Sequence, residues 1–135
     1  MAGELVALSK RDSQIRDHKD LEVWRVSMQL VRAVYAATTS MPSDERFGLT
    51  AQMRSAAVSI PSNIAEGYGR GSRTDYCRFV RVARGSAAEL ETQILIAQSL
   101  GMLAADDAEL LALLDRVKAM LHALIRSLDG GALGV

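Results

Sequence analysis

Residues Glu45 to Arg70 read ERFGLTAQMRSAAVSIPSNIAEGYGR. Leu49, Met53, Ala56, Ile60, Ile64 and Gly67 recur in this stretch at spacings of three and four, the period of one helical face. Their neighbours Ser55, Ala57, Ser59, Ser62 and Ala65 are small and let another helix come close. Pro61 falls inside the pattern. It has no amide hydrogen, so the Ala57 carbonyl loses its partner, and a helix that continues through it should bend there. Ser59, Ser62 and Asn63 are polar groups near that carbonyl. Asn63 and Glu66, three apart, fall on one side of the helix. Pro61, Asn63, Glu66 and Gly67 therefore read in two ways: a proline kink with satisfied polar neighbours and close packing, or a site for a ligand or partner.

Working outward, a first helix should begin after Asp20, a suitable N-cap. Its face is Leu21, Trp24, Met28, Val31 and Tyr35. Met41-Pro42 breaks it, because a residue before proline avoids helical angles. Ser43 or Asp44 then caps the second helix, which ends in the glycine-rich run Gly67-Tyr68-Gly69-Arg70-Gly71. Ser72 with Asp75 resembles a capping box and starts a third helix. Val80, Ala83, Ala87, Leu90, Ile94 and Ala97 form its heptad seam, and Gly101 ends it. Asp106 with Glu109 starts a fourth helix with the seam Leu110, Leu114, Val117, Leu121, Leu124 and Leu128. Asp129-Gly130-Gly131 should stop it. No strand alternation appears. The expected fold is all-α, an up-down-up-down antiparallel four-helix bundle over residues 20–129. Residues 1–19 read as an N-terminal arm and 130–135 as a tail. Short connections force sequential helices to run antiparallel.

Bulk composition agrees. A chain of 135 residues is one domain on length and buries about two-thirds of its unfolded surface without a disulfide or metal staple. Hydrophobic residues make up 49% and aromatics 4%, so the core must be aliphatic and alanine-rich. Formal net charge is zero, which argues against a globally basic nucleic-acid binder. The single cysteine, Cys77, suits a reducing cytosol. No apolar run approaches the roughly 18 residues that span a bilayer. A cytoplasmic protein with no membrane partner is expected. Val23, Val26, Leu30 and Val34, with Val58, lie outside the expected seams. Surplus apolar surface of this kind marks an interface, so a homo-oligomer is expected.

FGLTAQMRSAAVSIPSNIAEGYGR, followed by YCRFVRVARGSAAELETQ and preceded by DLEVWRVSMQL, resembles the family of proteins encoded in intervening sequences of bacterial 23S rRNA genes. The most specific pieces are SIPSNIAEG (Ser59 to Gly67) and GSAAELETQ (Gly85 to Gln93). The resemblance runs from about Asp20 to Leu128. It implies an up-down four-helix bundle, assembly into a homopentamer and no established enzyme activity. It brings no agreed functional residues, and the link to ribosomal RNA rests on where the genes lie.

The zero net charge hides a segregation. From Arg46 to Gly85, seven arginines face Glu66 and Asp75, a net of +5; from Ser86 onward, seven acids face three bases, a net of −4. Arg78, Arg81 and Arg84 fall within about 120° of arc on the third helix at 100° per residue, and Arg70 and Arg73 precede them. Arg70, Arg73, Arg78, Arg81 and Arg84 are either a solvated face whose arginines meet acids of the fourth helix or of a neighbouring subunit, or a phosphate-contacting patch for RNA or DNA. The patch would be salt-sensitive and largely sequence-blind, with Tyr68, Tyr76 and Phe79 nearby for stacking. Enzyme chemistry finds little support. Glu-x-x-His motifs of di-iron bundles are absent, since Ile15 and Ala119 precede His18 and His122 by three. One cysteine and two distant histidines make no zinc spacing, and Gly67, Gly69 and Gly71 follow a helix rather than a strand. No metal, cofactor or catalytic residue is expected. Cys77 reads as a buried thiol. The expected role is a structural or adaptor module that presents surfaces to a protein partner; the alternative is an RNA- or DNA-associated protein using the arginine patch.

Overall fold

The computed structural model describes residues 15–104 and 107–133, with side chains described as far as Gly130. Four helices account for most of them: α1 (Glu22–Thr38), α2 (Leu49–Gly69), α3 (Arg73–Ser99) and α4 (Ala108–Leu133). No strand occurs among the described residues. Short 3-10 turns at His18–Asp20 and Ser43–Glu45 precede α1 and α2. Each helix packs on two others, α1 on α2 and α4, and α3 on α2 and α4, with the α2–α3 contact the most extensive.

The core follows the expected seams on three helices. Met53, Ala56, Ile60, Ile64 and Gly67 of α2 are buried, as are Val80, Ala83, Ala87, Leu90, Ile94 and Ala97 of α3. Leu110, Leu114, Val117 and Leu121 of α4 are buried with Ile125, while Leu124 and Leu128 are half-buried at its edge. Burying such stripes is the main stabilising term, about 25 cal/mol per Å² of apolar area.

On α1 the expected face is wrong. Val23, Val26, Leu30 and Val34 are buried, Leu21, Trp24 and Val31 pack half-buried at the core's margin, and Tyr35 is 42% exposed. The buried row is Val23, Ser27, Leu30, Val34 and Thr38. Ser27 and Thr38 disguise it in the sequence. Each hydroxyl donates back to a helix carbonyl, Ser27 Oγ to Trp24 O at 2.8 Å and Thr38 Oγ1 to Val34 O at 2.7 Å. A hydroxyl satisfied in this way can be buried at small cost. Four of the five apolar residues expected to be surplus therefore lie in the core, and only Val58 is exposed.

Several ends also differ. Asp20 does not cap α1, whose cap position is Leu21 without a side-chain bond; Asp17 caps the preceding 3-10 turn, its carboxylate accepting from Lys19 N at 2.8 Å, and Asp20 is the reciprocal partner that accepts from Arg16 N and Asp17 N. Neither Ser43 nor Asp44 caps α2. Gly48 holds the cap position at φ −108°, and Leu49 N donates to Glu45 Oε1 at 3.0 Å. Ser72 caps α3 as expected, accepting from Asp75 N at 3.1 Å. Gly101 ends it at φ +72°, with Met102 N donating to Ala97 O, the bond of a glycine-terminated helix. Asp106 lies outside the described residues; the neighbouring Asp107 accepts from Leu110 N at 3.1 Å. Asp129-Gly130-Gly131 does not stop α4, which continues to Leu133. Of the expected N-terminal arm, residues 1–14 lie outside the described residues.

Candidate nucleic-acid interface

Helix α2 runs through Pro61, which is buried along with Ile60 and Ile64. The polar residues beside it serve the packing of α2 on α3. Asn63 Nδ2 donates to Ser59 O at 2.8 Å and to Ser59 Oγ at 2.9 Å, and Ser59 Oγ shares a 2.8 Å hydrogen bond with Ser86 Oγ of α3. One turn further on, Gly67 is buried against Phe79 and the Tyr76 backbone. Glu66 turns outward and pairs with Arg70 at 3.0 Å, one helical turn away. Asn63 and Glu66 thus have different partners. The geometry is that of close packing with satisfied polar neighbours.

The five arginines gather where α2 hands over to α3 and along α3, but most have protein partners. Arg70 pairs with Glu66 and lies over the Phe79 ring, 5.0 Å from its centroid. Arg78 covers the same ring at 4.8 Å and meets Asp75 at 3.5 Å. Phe79 therefore carries two guanidiniums, and Tyr68 packs edge-on against Tyr76 at 5.7 Å. Arg73 donates from Nε to Leu128 O and from Nη2 to Ser127 O, both at 2.9 Å. Arg81 pairs with Asp129 and donates from Nε to Cys77 Sγ at 3.5 Å. Cys77 is buried, and its thiol donates to the other Asp129 oxygen at 3.2 Å. Arg84 is exposed, with no carboxylate in contact among the described residues.

Cross-helix pairs set the register. Ser59 meets Ser86 and Gly67 meets Phe79, so numbers rise along α2 as they fall along α3. Arg81 with Asp129 and Glu91 with Lys118 give the same opposed order for α3 and α4. Among the described residues, no group of three or more His, Cys, Asp or Glu side chains is placed to hold a metal ion. Nor is any helix of these residues long and apolar enough to cross a membrane. In the sequence Asp129 reads only as part of the Asp-Gly-Gly stop signal, not as a partner of the arginines. The signal that could have found it is that Asp129 is the sole acid after Asp115 on a helix that follows an arginine-rich one.

A family model described as 23S rRNA-intervening sequence protein matches residues 19–123. The chain belongs to that family. The match spans α1, α2, α3 and the first part of α4, so the helical organisation described above is that of a 23S rRNA-intervening sequence protein. Asp129, and with it the segment that engages Arg73, Cys77 and Arg81, lies beyond the matched span. No curated protein matches the chain.

Proposed function

We propose that this 23S rRNA-intervening sequence protein is a non-enzymatic structural or adaptor module of the cytoplasm. It is an up-down-up-down antiparallel bundle that assembles with copies of itself into a ring, five-membered as the family resemblance implies, and presents the ring surface to a protein partner. The observation that carries this reading is an exposed face on α2 with a single charged residue, Arg54. Between Ala51 and Ala65 the sole charged residue is Arg54, and Ala51, Gln52, Ser55, Val58 and Ser62 are exposed. Beside it on α3, Val82 and Ile96 are 48% and 44% exposed. At 100° per residue both lie within about 80° of Ser86, the residue that touches α2. Faces that bury on association are depleted of charge at their centre. Val58, Val82 and Ile96 add exposed apolar area to this face, and apolar surface rimmed by polar residues marks an association site.

Light scattering and sedimentation velocity at micromolar concentration test it. A single species several times the chain mass is expected. Val58→Glu, which puts a charge at the centre of the face without touching the core, should shift it to monomer with unchanged helicity. A clean monomer for the natural sequence overturns the proposal.

A further inference from the structure

We propose that the last turns of α4 compete in cis with a nucleic-acid strand for the arginines of α3. Two of the five arginines spend their donors on one short stretch of α4. Arg73 grips the Ser127 and Leu128 carbonyls with two nitrogens, and Arg81 holds the Asp129 carboxylate. Carbonyl and carboxylate oxygens presented to a guanidinium fork are what a phosphodiester presents. The stretch occupies the arginines as a phosphate backbone would.

Two further arginines lie beside this contact without an acidic partner. Arg84 is three residues on from Arg81, and Arg126 is three residues before Asp129. Both are exposed and make no ion pair among the described residues. Because α3 and α4 run in opposed order, stepping inward from the Arg81–Asp129 pair reaches both of them at one level of the seam. Two guanidiniums at one level without acidic partners raise the local positive potential and favour an anion there. A strand drawn to Arg84 and Arg126 meets Arg81 next, and there it must displace Asp129.

The displaced segment is suited to letting go. The Arg81 side chain is 48% exposed and that of Asp129 23%, so the pair is screened and weak. Immediately after it come Gly130 and Gly131, the poorest helix formers apart from proline. Opposing this, Cys77 donates to the Asp129 carboxylate and the Arg73 guanidinium donates to the carbonyls of the same turn, both charge-assisted hydrogen bonds. The result is a docked helix end that a polyanion can lift.

Fluorescence anisotropy with labelled polyuridine at low and raised potassium chloride tests the competition. The natural chain should bind weakly. Asp129→Asn should bind roughly fivefold more tightly, the factor that loss of a weak exposed ion pair releases. Its salt dependence should be steeper by about one phosphate contact. Asp115→Asn removes an exposed acid of the same helix that makes no ion pair among the described residues, so it controls for net charge and should change affinity less than twofold. Arg84→Gln with Arg126→Gln should weaken binding in either background. If Asp129→Asn loses helicity, hydrogen exchange on the natural chain takes its place: polyuridine should speed exchange of the amides after Ser127. Absence of binding at low salt, equal gains from the two acid substitutions, or unchanged exchange in the bound chain overturns the proposal. Light scattering fails or succeeds independently, so ring assembly and strand competition are judged apart.

Discussion

Gly67 of α2 and Phe79 of α3 lie so close that a methyl group in place of the Gly67 hydrogen would stand 2.7 Å from the Phe79 Cβ. The Tyr76 carbonyl would be 3.2 Å from the same carbon. Neither neighbour is the tip of a flexible chain, so relief means moving α3. Alanine gains about 1 kcal/mol of helix propensity, while overpacking costs typically about 1–3 kcal/mol. Gly67→Ala should therefore be neutral to destabilising by about 2 kcal/mol, read as a lower urea midpoint with unchanged slope.

Gly85 gives the opposite expectation. It lies inside α3, is exposed, and a Cβ there meets nothing within 4 Å. Its backbone is helical, so alanine adopts it without strain and loses less chain entropy on folding. Gly85→Ala should stabilise the fold by about 0.5–1 kcal/mol, seen as a rise in melting temperature of about 2–4 °C.

The contrast between these glycines shows how much of the molecule the sequence discloses. Seams on α2, α3 and α4 are legible because a run of apolar, alanine or glycine positions at steps of three and four extends along each, although Thr50, Ser86 and Gln93 are buried beside them. On α1 the period passes through Ser27 and Thr38, whose hydroxyls turn back to the helix, so an apolar count selects the flank with Trp24 and Tyr35 instead. The end of α4 misleads for a related reason. Asp-Gly-Gly has poor helix propensity, yet Arg73, Cys77 and Arg81 hold that turn from α3, and tertiary contacts override a weak local preference. Within the candidate interface, the arginines and their spacing are local facts that can be read directly. Their partners are not, because Arg81 and Asp129 are 48 residues apart and meet only through the α3–α4 register.

Thr38 joins α1 to α2 through Arg54. Its buried Oγ1 donates to Val34 O and accepts from Arg54 Nε at 2.9 Å, while the guanidinium lies 4.6 Å from the Tyr35 ring centroid. Thr38→Val keeps the shape and removes the acceptor. Arg54 can turn partly to water, so the loss should be about 1–2 kcal/mol, below the upper range for hydrogen bonds to charged groups. In a double-mutant cycle with Arg54→Met, the coupling should be about 1 kcal/mol and fall little with salt, because a neutral acceptor is involved.

Asp20 makes the start of the chain's described region sensitive to acid. Its carboxylate accepts from Arg16 N at 2.7 Å and from Asp17 N at 3.3 Å, and these backbone donors hold its pKa below the ordinary carboxylate value, helped by Arg25 and Lys19 and only partly opposed by burial. A pKa lowered on folding means that the folded state binds the proton less well than the unfolded one. The stabilisation is therefore complete above the unfolded value of about 3.9 and is lost as pH falls through the lower folded value. The turn that Asp20 fixes carries His18, whose ring packs edge-on against Trp24 at 5.2 Å. Acidification below about pH 4 should release this turn before the helices melt, changing Trp24 fluorescence while far-ultraviolet ellipticity holds. Asp20→Asn, which cannot offer a charged acceptor, should show the released fluorescence at neutral pH and lose that acid step. If the two signals fall together in the natural chain, the turn is not an independent acid-labile unit.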